Sequence, residues 1–336
     1  MIYKNMEIHN VAELYENGGG VSWLRMPTDA DRQLEIVPVA NNACRNSTGV
    51  ELRFVMKSDK VRLCLEAIKP GVFHVFRGGL QGGWEDHEVD KIIDTKKCFL
   101  EIKRSENLPM LKRMSAVLGT DWDPEVVRVI FDRGTFILHD IEGDIIPPSK
   151  NQKPAKTLMC YGSSITHGSN SFNTSSNWSA VVAHNLNMDC RNLGMPGSCA
   201  MEPAVIEYIA AEGENGNWDM ITLCLGINVL DWDNEKISTR VTNTIREVAG
   251  RNNNKPVFII SPFYSNDDFD KKGKADNWRK IISEIVAKEN FDNVTYINGL
   301  DLLGDMSLIS ADEVHPNIYG IQQIADRLTA VIKSKI

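Results

Sequence analysis

A serine on a tight turn and a distant aspartate–histidine pair are the residues of this chain best equipped for chemistry. The serine lies in Tyr161-Gly162-Ser163-Ser164-Ile165-Thr166, directly after the apolar run Thr157-Leu158-Met159-Cys160. A small residue and a polar turn after a buried strand lift a hydroxyl to the carboxyl edge of a sheet, where open α/β folds keep their ligands. A serine hydroxyl becomes a useful nucleophile once a base takes its proton. Asp312-Glu313-Val314-His315-Pro316 supplies such a base. The i, i+3 spacing lets one turn carry both groups, so that Asp312 orients the His315 ring and stabilises its protonated form. Ser164, His315 and Asp312 thus have the types of a nucleophile, a base and its orienting acid. The plainer alternatives are that Ser163 and Ser164 form a turn or a helix cap, and that Asp312 and His315 cap the last helix. The elbow G-x-S-x-G is absent, because Thr166 takes the place of its second glycine.

Acyl transfer through a serine also needs donors for a developing oxyanion. Asn192-Leu193-Gly194-Met195-Pro196-Gly197-Ser198 places glycines at a strand end, where a backbone N–H can face such a charge. Leu225-Gly226-Ile227-Asn228 ends another apolar strand with an asparagine able to donate its side-chain N–H. Turn geometry alone also accounts for each segment. His167, just past the serine, reads as an exposed turn residue, with lining of the cleft as its alternative, and His184 as a helix-surface one, while His9, His74, His87 and His139 fall in strand-rich sequence. No H-x-x-x-H or clustered His/Cys/carboxylate set offers a metal site, and the chemistry above calls for no metal or organic cofactor.

The elements that must position these groups follow two grammars. Up to about residue 150 the chain alternates apolar and polar residues in short runs, as in Val50–Met56 and Val61–Glu66. Further strands are expected at 21–26, 34–39, 72–76, 98–103, 127–131 and 135–139, with helices scarce. Such spacing predicts an all-β sandwich or jelly roll over residues 1–150. Gly143 to Pro154 has the composition of a linker. From 156 to 336 strands are expected at 157–161, 189–193, 220–225, 257–261 and 294–297. Helices are expected at 178–186, 202–211, 236–251, 275–289 and 317–333. This is the α/β pattern of a doubly wound, three-layer domain with about five parallel strands.

The 336 residues exceed the usual size of one domain, and 42% hydrophobic with 24% charged residues is ordinary for a globular protein. A formal net charge of −8 and the lack of basic runs argue against a nucleic-acid partner. No stretch approaches the ~18 apolar residues of a membrane span, so no membrane partner is expected. Seven cysteines without a C-x-x-C pair, and an amino terminus without a continuous apolar segment, suggest a reduced, cytoplasmic protein. Cys64, Cys160 and Cys224 lie in apolar runs, where cysteine acts as a small hydrophobe. Oligomeric state is not legible, and a homo-oligomer stays compatible with the sequence.

The second half resembles the SGNH (GDSL-type) hydrolase family, which has a flavodoxin-like fold and four blocks carrying Ser, Gly, Asn and His in that order. Gly162-Ser163-Ser164-Ile165 matches the first block, Gly197 the second, Gly226-Ile227-Asn228 the third, and Asp312 to Pro316 the fourth. Two positions depart from the family pattern: Ser163 replaces the aspartate before the nucleophile, and Val229 an aspartate that often follows the asparagine. More weakly, Val11-Ala12-Glu13-Leu14-Tyr15 resembles the G-x-D-L-Y signature of a β-sandwich found ahead of some bacterial members. The resemblance implies a serine esterase with Ser164, Asp312 and His315 as triad. The oxyanion would be held by the N–H groups of Ser164 and Gly197 and by the Asn228 side chain. It also implies a small-molecule or oligosaccharide ester as substrate, foremost a short acyl ester on a sugar, with Trp232 or Trp84 for stacking. The alternatives are an acyltransferase or thioesterase using the same triad, or a decayed carbohydrate-binding protein.

Overall fold

A computed structural model of the chain describes residues 1–35, 43–83 and 91–336. Trp84, His87 and most of the strand expected at 34–39 lie outside the described residues. The chain divides into two compact units. The first comprises residues 1–25, 44–155 and 187–189, the second residues 26–43, 156–186 and 190–336.

Among the described residues the first unit contains thirteen strands. They are β1 (Ile2–Tyr3), β2 (Met6–His9), β3 (Glu13–Asn17), β4 (Gly20–Leu24), β5 (Glu51–Met56), β6 (Lys60–Ala67), β7 (Gly71–Arg77), β8 (Leu80–Gln81), β9 (Lys91–Ile93), β10 (Cys98–Lys103), β11 (Val126–Phe131), β12 (Phe136–Glu142) and β13 (Ile145–Ile146). One antiparallel sheet runs β1-β2-β5-β11-β7-β8, with β13 added to β5 and β9 to β7, and the other runs β10-β6-β12-β4-β3. Alternation sets the inner face: in β10, Leu100 and Ile102 are buried while Phe99 is exposed. Leu52, Phe54 and Val129 of one sheet share a core with Trp23, Leu63 and Leu138 of the other, which makes the pair a sandwich. The expected linker is partly sheet, because Ile145 is buried and pairs with Met56.

One buried ionic cluster stands on the sandwich. Arg53 is fully buried, donates to Glu51 at 2.8 Å, and reaches both carboxylate oxygens of Asp189 at 2.7 Å. Burial alone would push the Glu51 carboxyl up, but the guanidinium groups of Arg128 and Arg53 hold it down at about 2. Helices are scarce here as expected, the longest among the described residues of this unit being Leu108–Leu118. Its apolar residues Met110, Met114, Val117 and Leu118 recur at helical spacing yet are exposed, while Leu108 and Leu111 are half-buried and Ser115 is buried.

The second unit contains β14 (Thr157–Gly162), β15 (Asp189–Gly194, its first residue counted with the first unit), β16 (Met220–Cys224), β17 (Val257–Ile260) and β18 (Val294–Ile297), in the order β15-β14-β16-β17-β18. Pairing is parallel, with Leu158 opposite Met220, Ile221 opposite Val257, and Val257 opposite Val294. Successive residues of β14, β16 and β17 are buried without alternation, as in a sheet covered on both faces by helices. The main helices are Trp178–Asn185, Pro203–Glu214, Asn234–Ile245, Lys274–Glu289 and Ile318–Lys333. The last buries Ile321, Ile324, Ala325, Leu328 and Ile332 as one stripe, and Asn317 caps its start. Strand order reverses at β14, so the crevice for a ligand opens at that strand's carboxyl end.

Candidate active site

Ser164 sits at that switch point. β14 ends at Gly162, where a Cβ would lie 2.2 Å from Thr166 Oγ1 and 3.0 Å from Cys224. The chain then enters the short helix Ser164–His167, with Ser163 as N-cap accepting the Ile165 N–H at 3.2 Å and Gly168 closing it at φ +106°. Serine performs here the capping role that an aspartate also fills, which accounts for the departure at Ser163. Carbonyls of this four-residue helix are held from outside: Trp178 donates to Ile165 O at 3.0 Å, and Asn177 and Asn192 donate to Thr166 O at 2.6 and 2.7 Å. Ser164 is therefore fixed at the first helical position, where its own N–H has no partner within the helix.

His315 Nε2 lies 2.7 Å from Ser164 Oγ, and His315 Nδ1 lies 2.8 Å from Asp312 Oδ2. Asp312 Oδ1 accepts the backbone N–H groups of His315 and Val314 at 2.9 and 3.1 Å. Partial burial would raise the Asp312 carboxyl, but these backbone N–H groups, the imidazole and Asn170 together bring it to about 2. Asp312 therefore stays ionised through the range in which an imidazole titrates. His167 was expected on an exposed turn, but it is 2% exposed, because its helix packs against β15 rather than facing solvent. The missed member of the site is Asn170, whose Nδ2 donates to Asp312 Oδ2 at 2.7 Å.

The two donor segments also lie at carboxyl ends of strands, after β15 and β16. Gly194 has no room for a side chain, since a Cβ would fall 2.2 Å from His167 N and 2.4 Å from His167 Cα. Gly194→Ala is expected to destabilise the protein by about 1–3 kcal/mol and to displace the serine helix. Denaturant unfolding with a parallel esterase assay checks this; an unchanged midpoint would contradict it. Gly197 is exposed and left-handed at φ +66°, a conformation glycine adopts freely. Asn228 Oδ1 accepts the Cys199 N–H at 3.1 Å, which leaves the amide N–H₂ as the end free to donate. Val229 is buried. Trp232 packs against Trp278 at 6.3 Å between ring centroids and lies under Lys236 Nζ at 4.1 Å.

Residues 155–333 match the GDSL-like Lipase/Acylhydrolase family. The chain belongs to that family. The GDSL-like chain is accordingly an acylhydrolase acting on ester bonds, with the α/β domain and the preceding β-sandwich expected of the SGNH type. Comparison with curated proteins finds no match. Among solved structures, this GDSL-like chain is similar to a salicylyl-acyltransferase from a tetracycline biosynthetic pathway. That likeness has 18% identity and a TM-score of 0.78, and covers 99% of this chain and 96% of the other. A GDSL-like lipase described as putative, from Bacteroides ovatus, matches at 17% identity and TM-score 0.62 over 98% and 97% of the two chains. A family two carbohydrate esterase from Clostridium thermocellum, solved with cellohexaose, matches at 14% identity and TM-score 0.65 over 98% and 99%. At such identities the likeness is one of fold.

Proposed function

We propose that this acylhydrolase removes short acyl groups, acetyl foremost, from a carbohydrate through an acyl-enzyme on Ser164. The observation that carries the reading is the unbroken relay from Ser164 Oγ through His315 to Asp312, with contacts of 2.7 and 2.8 Å. His315 takes the Ser164 proton as Oγ attacks the ester carbonyl, and Asp312 stabilises the imidazolium that results. The tetrahedral oxyanion is held by the N–H groups of Ser164 and Gly197 and by Asn228 Nδ2. His315 then gives the proton to the departing sugar hydroxyl. In the second half it takes a proton from water, whose oxygen attacks the acyl carbon, and returns it to Ser164 as the acid leaves. Apart from the ester and the attacking water, every group in this sequence is a side chain or backbone N–H of the chain itself.

The carbohydrate part of the reading is supported by the fold shared with the family two esterase. A transferase reading draws support from the fold shared with the salicylyl-acyltransferase: the same acyl-enzyme would pass its acyl group to an alcohol instead of water. Rates on p-nitrophenyl acetate, butyrate and octanoate, and acetate release from acetylated xylose and cellobiose, test both. Expected are rates falling from acetate to octanoate and release of free acetate from the sugars. An octanoate optimum, or acyl transfer to an added sugar outrunning hydrolysis, would overturn the deacetylase reading.

A further inference from the structure

We propose that Asn170 is a positioning residue that holds the Asp312 carboxylate in register with His315 and ties it to the segment carrying the nucleophile. This inference rests on the reading of Ser164, His315 and Asp312 as the catalytic relay. The Asp312 carboxylate accepts four hydrogen bonds. Three come from its own turn: the Val314 and His315 N–H groups on Oδ1, and the His315 ring on Oδ2. The fourth, at 2.7 Å on Oδ2, comes from Asn170, 142 residues away in sequence. With Oδ1 pinned by the backbone, Oδ2 keeps one freedom, a swing about that pin toward or away from the imidazole. Asp312 is 42% exposed on its side chain, so water competes for that oxygen. A donor fixed by the protein removes the swing and displaces the water.

Asn170 is itself held by the nucleophile's segment. Gly168 and Ser169 both donate their N–H to Ser164 O, at 2.9 and 3.0 Å, and Ser171 bonds back to Gly168 O through Oγ at 2.6 Å. Hydrogen bonds therefore close a ring from Ser164 through His315, Asp312 and Asn170, back along the chain to Ser164. Two chemical demands meet at position 170. The backbone is left-handed, at φ +64°, where asparagine is among the few residues with a Cβ that fit. The donor must also be neutral. A lysine or arginine would orient the carboxylate but would offset the charge that stabilises the imidazolium. An aspartate could not donate when ionised and would set carboxylate against carboxylate.

Asn170→Gly keeps the left-handed backbone and deletes the amide, while Asn170→Asp keeps shape and backbone preference and deletes the donor. Both are expected to lower kcat on p-nitrophenyl acetate roughly tenfold, the scale of one charge-assisted hydrogen bond, with KM within about twofold. Proton NMR of the folded, substrate-free variants is expected to show the His315 Nδ1–H resonance shifted or broadened, since the partner oxygen is no longer fixed. Ser164→Ala is run beside them. If Ser164→Ala kills turnover while both Asn170 variants keep the wild-type kcat, or the wild-type resonance, the inference about Asn170 is wrong and the relay stands. Full activity in Ser164→Ala would instead remove the relay reading on which it rests.

Discussion

Ser164→Ala and His315→Ala are each expected to lower kcat on p-nitrophenyl acetate by about 10⁴- to 10⁶-fold, and the double variant by no more than either alone. In the proposed mechanism the relay acts as a unit: an imidazole without the hydroxyl has no proton to take, and a hydroxyl without the imidazole remains a weak nucleophile. The residual rate over water would come from the oxyanion donors and from binding, which neither substitution touches. Both changes should leave the fold intact. Ser164 Oγ and the His315 ring make no contact that the helix or the turn needs, since Ser163 caps the helix and Asp312 Oδ1 holds the turn. Single-turnover measurements with a matched thermal melt check the prediction, and additive losses in the double variant would show that the two side chains do not act as one relay. His167, the histidine nearest Ser164 in sequence, would be a poor control for the base. It is buried, so its replacement reports packing as much as base chemistry.

How much of this was legible in the sequence depends on how each feature is encoded. The parallel sheet was legible because strands covered on both faces read as continuous apolar runs, as at Leu158 to Tyr161. Ser164 and Asn228 were legible as reactive types just past such strands, and His315 as an imidazole three residues after Asp312 in the turn before the last helix; its Nε2 lies 2.7 Å from Ser164 Oγ. The helix Leu108–Leu118 has its signal in Met110, Met114, Val117 and Leu118 at i, i+4, i+7 and i+8, but it stands among the strand-like runs that dominate that half. The packing of residues 26–35 with the second unit was not legible, because nothing local separates them from the strands that precede them. Asn170 was illegible for a different reason. Its signal, an asparagine two residues past a glycine, is that of any turn, and its meaning lies in a partner 142 residues away.

The departure at Val229 bears on the last expected result, at Asn228. Asn228→Ala is expected to lower kcat by ~10²–10³ with little change in KM, the usual loss for one oxyanion donor. That result alone would not separate two roles, because the same side chain also accepts the Cys199 N–H and so helps to place the loop that carries Gly197. Asn228→Asp separates them. The aspartate keeps the acceptor and the shape, and so keeps the hold on Cys199, but it replaces the donor with a negative charge facing a developing negative charge. If Asn228 stabilises the oxyanion, the aspartate variant must be slower than the alanine variant, although its loop is the better placed of the two. If Asn228 serves only to hold the loop, the aspartate variant will run close to wild type. The order of the two rates therefore decides the role without reference to their absolute size. Family members that carry an aspartate at position 229 place a charge beside this asparagine, whereas here the position is a buried valine. No anion at that position therefore adds to the charge around Asn228, so a loss confined to kcat would report its own N–H.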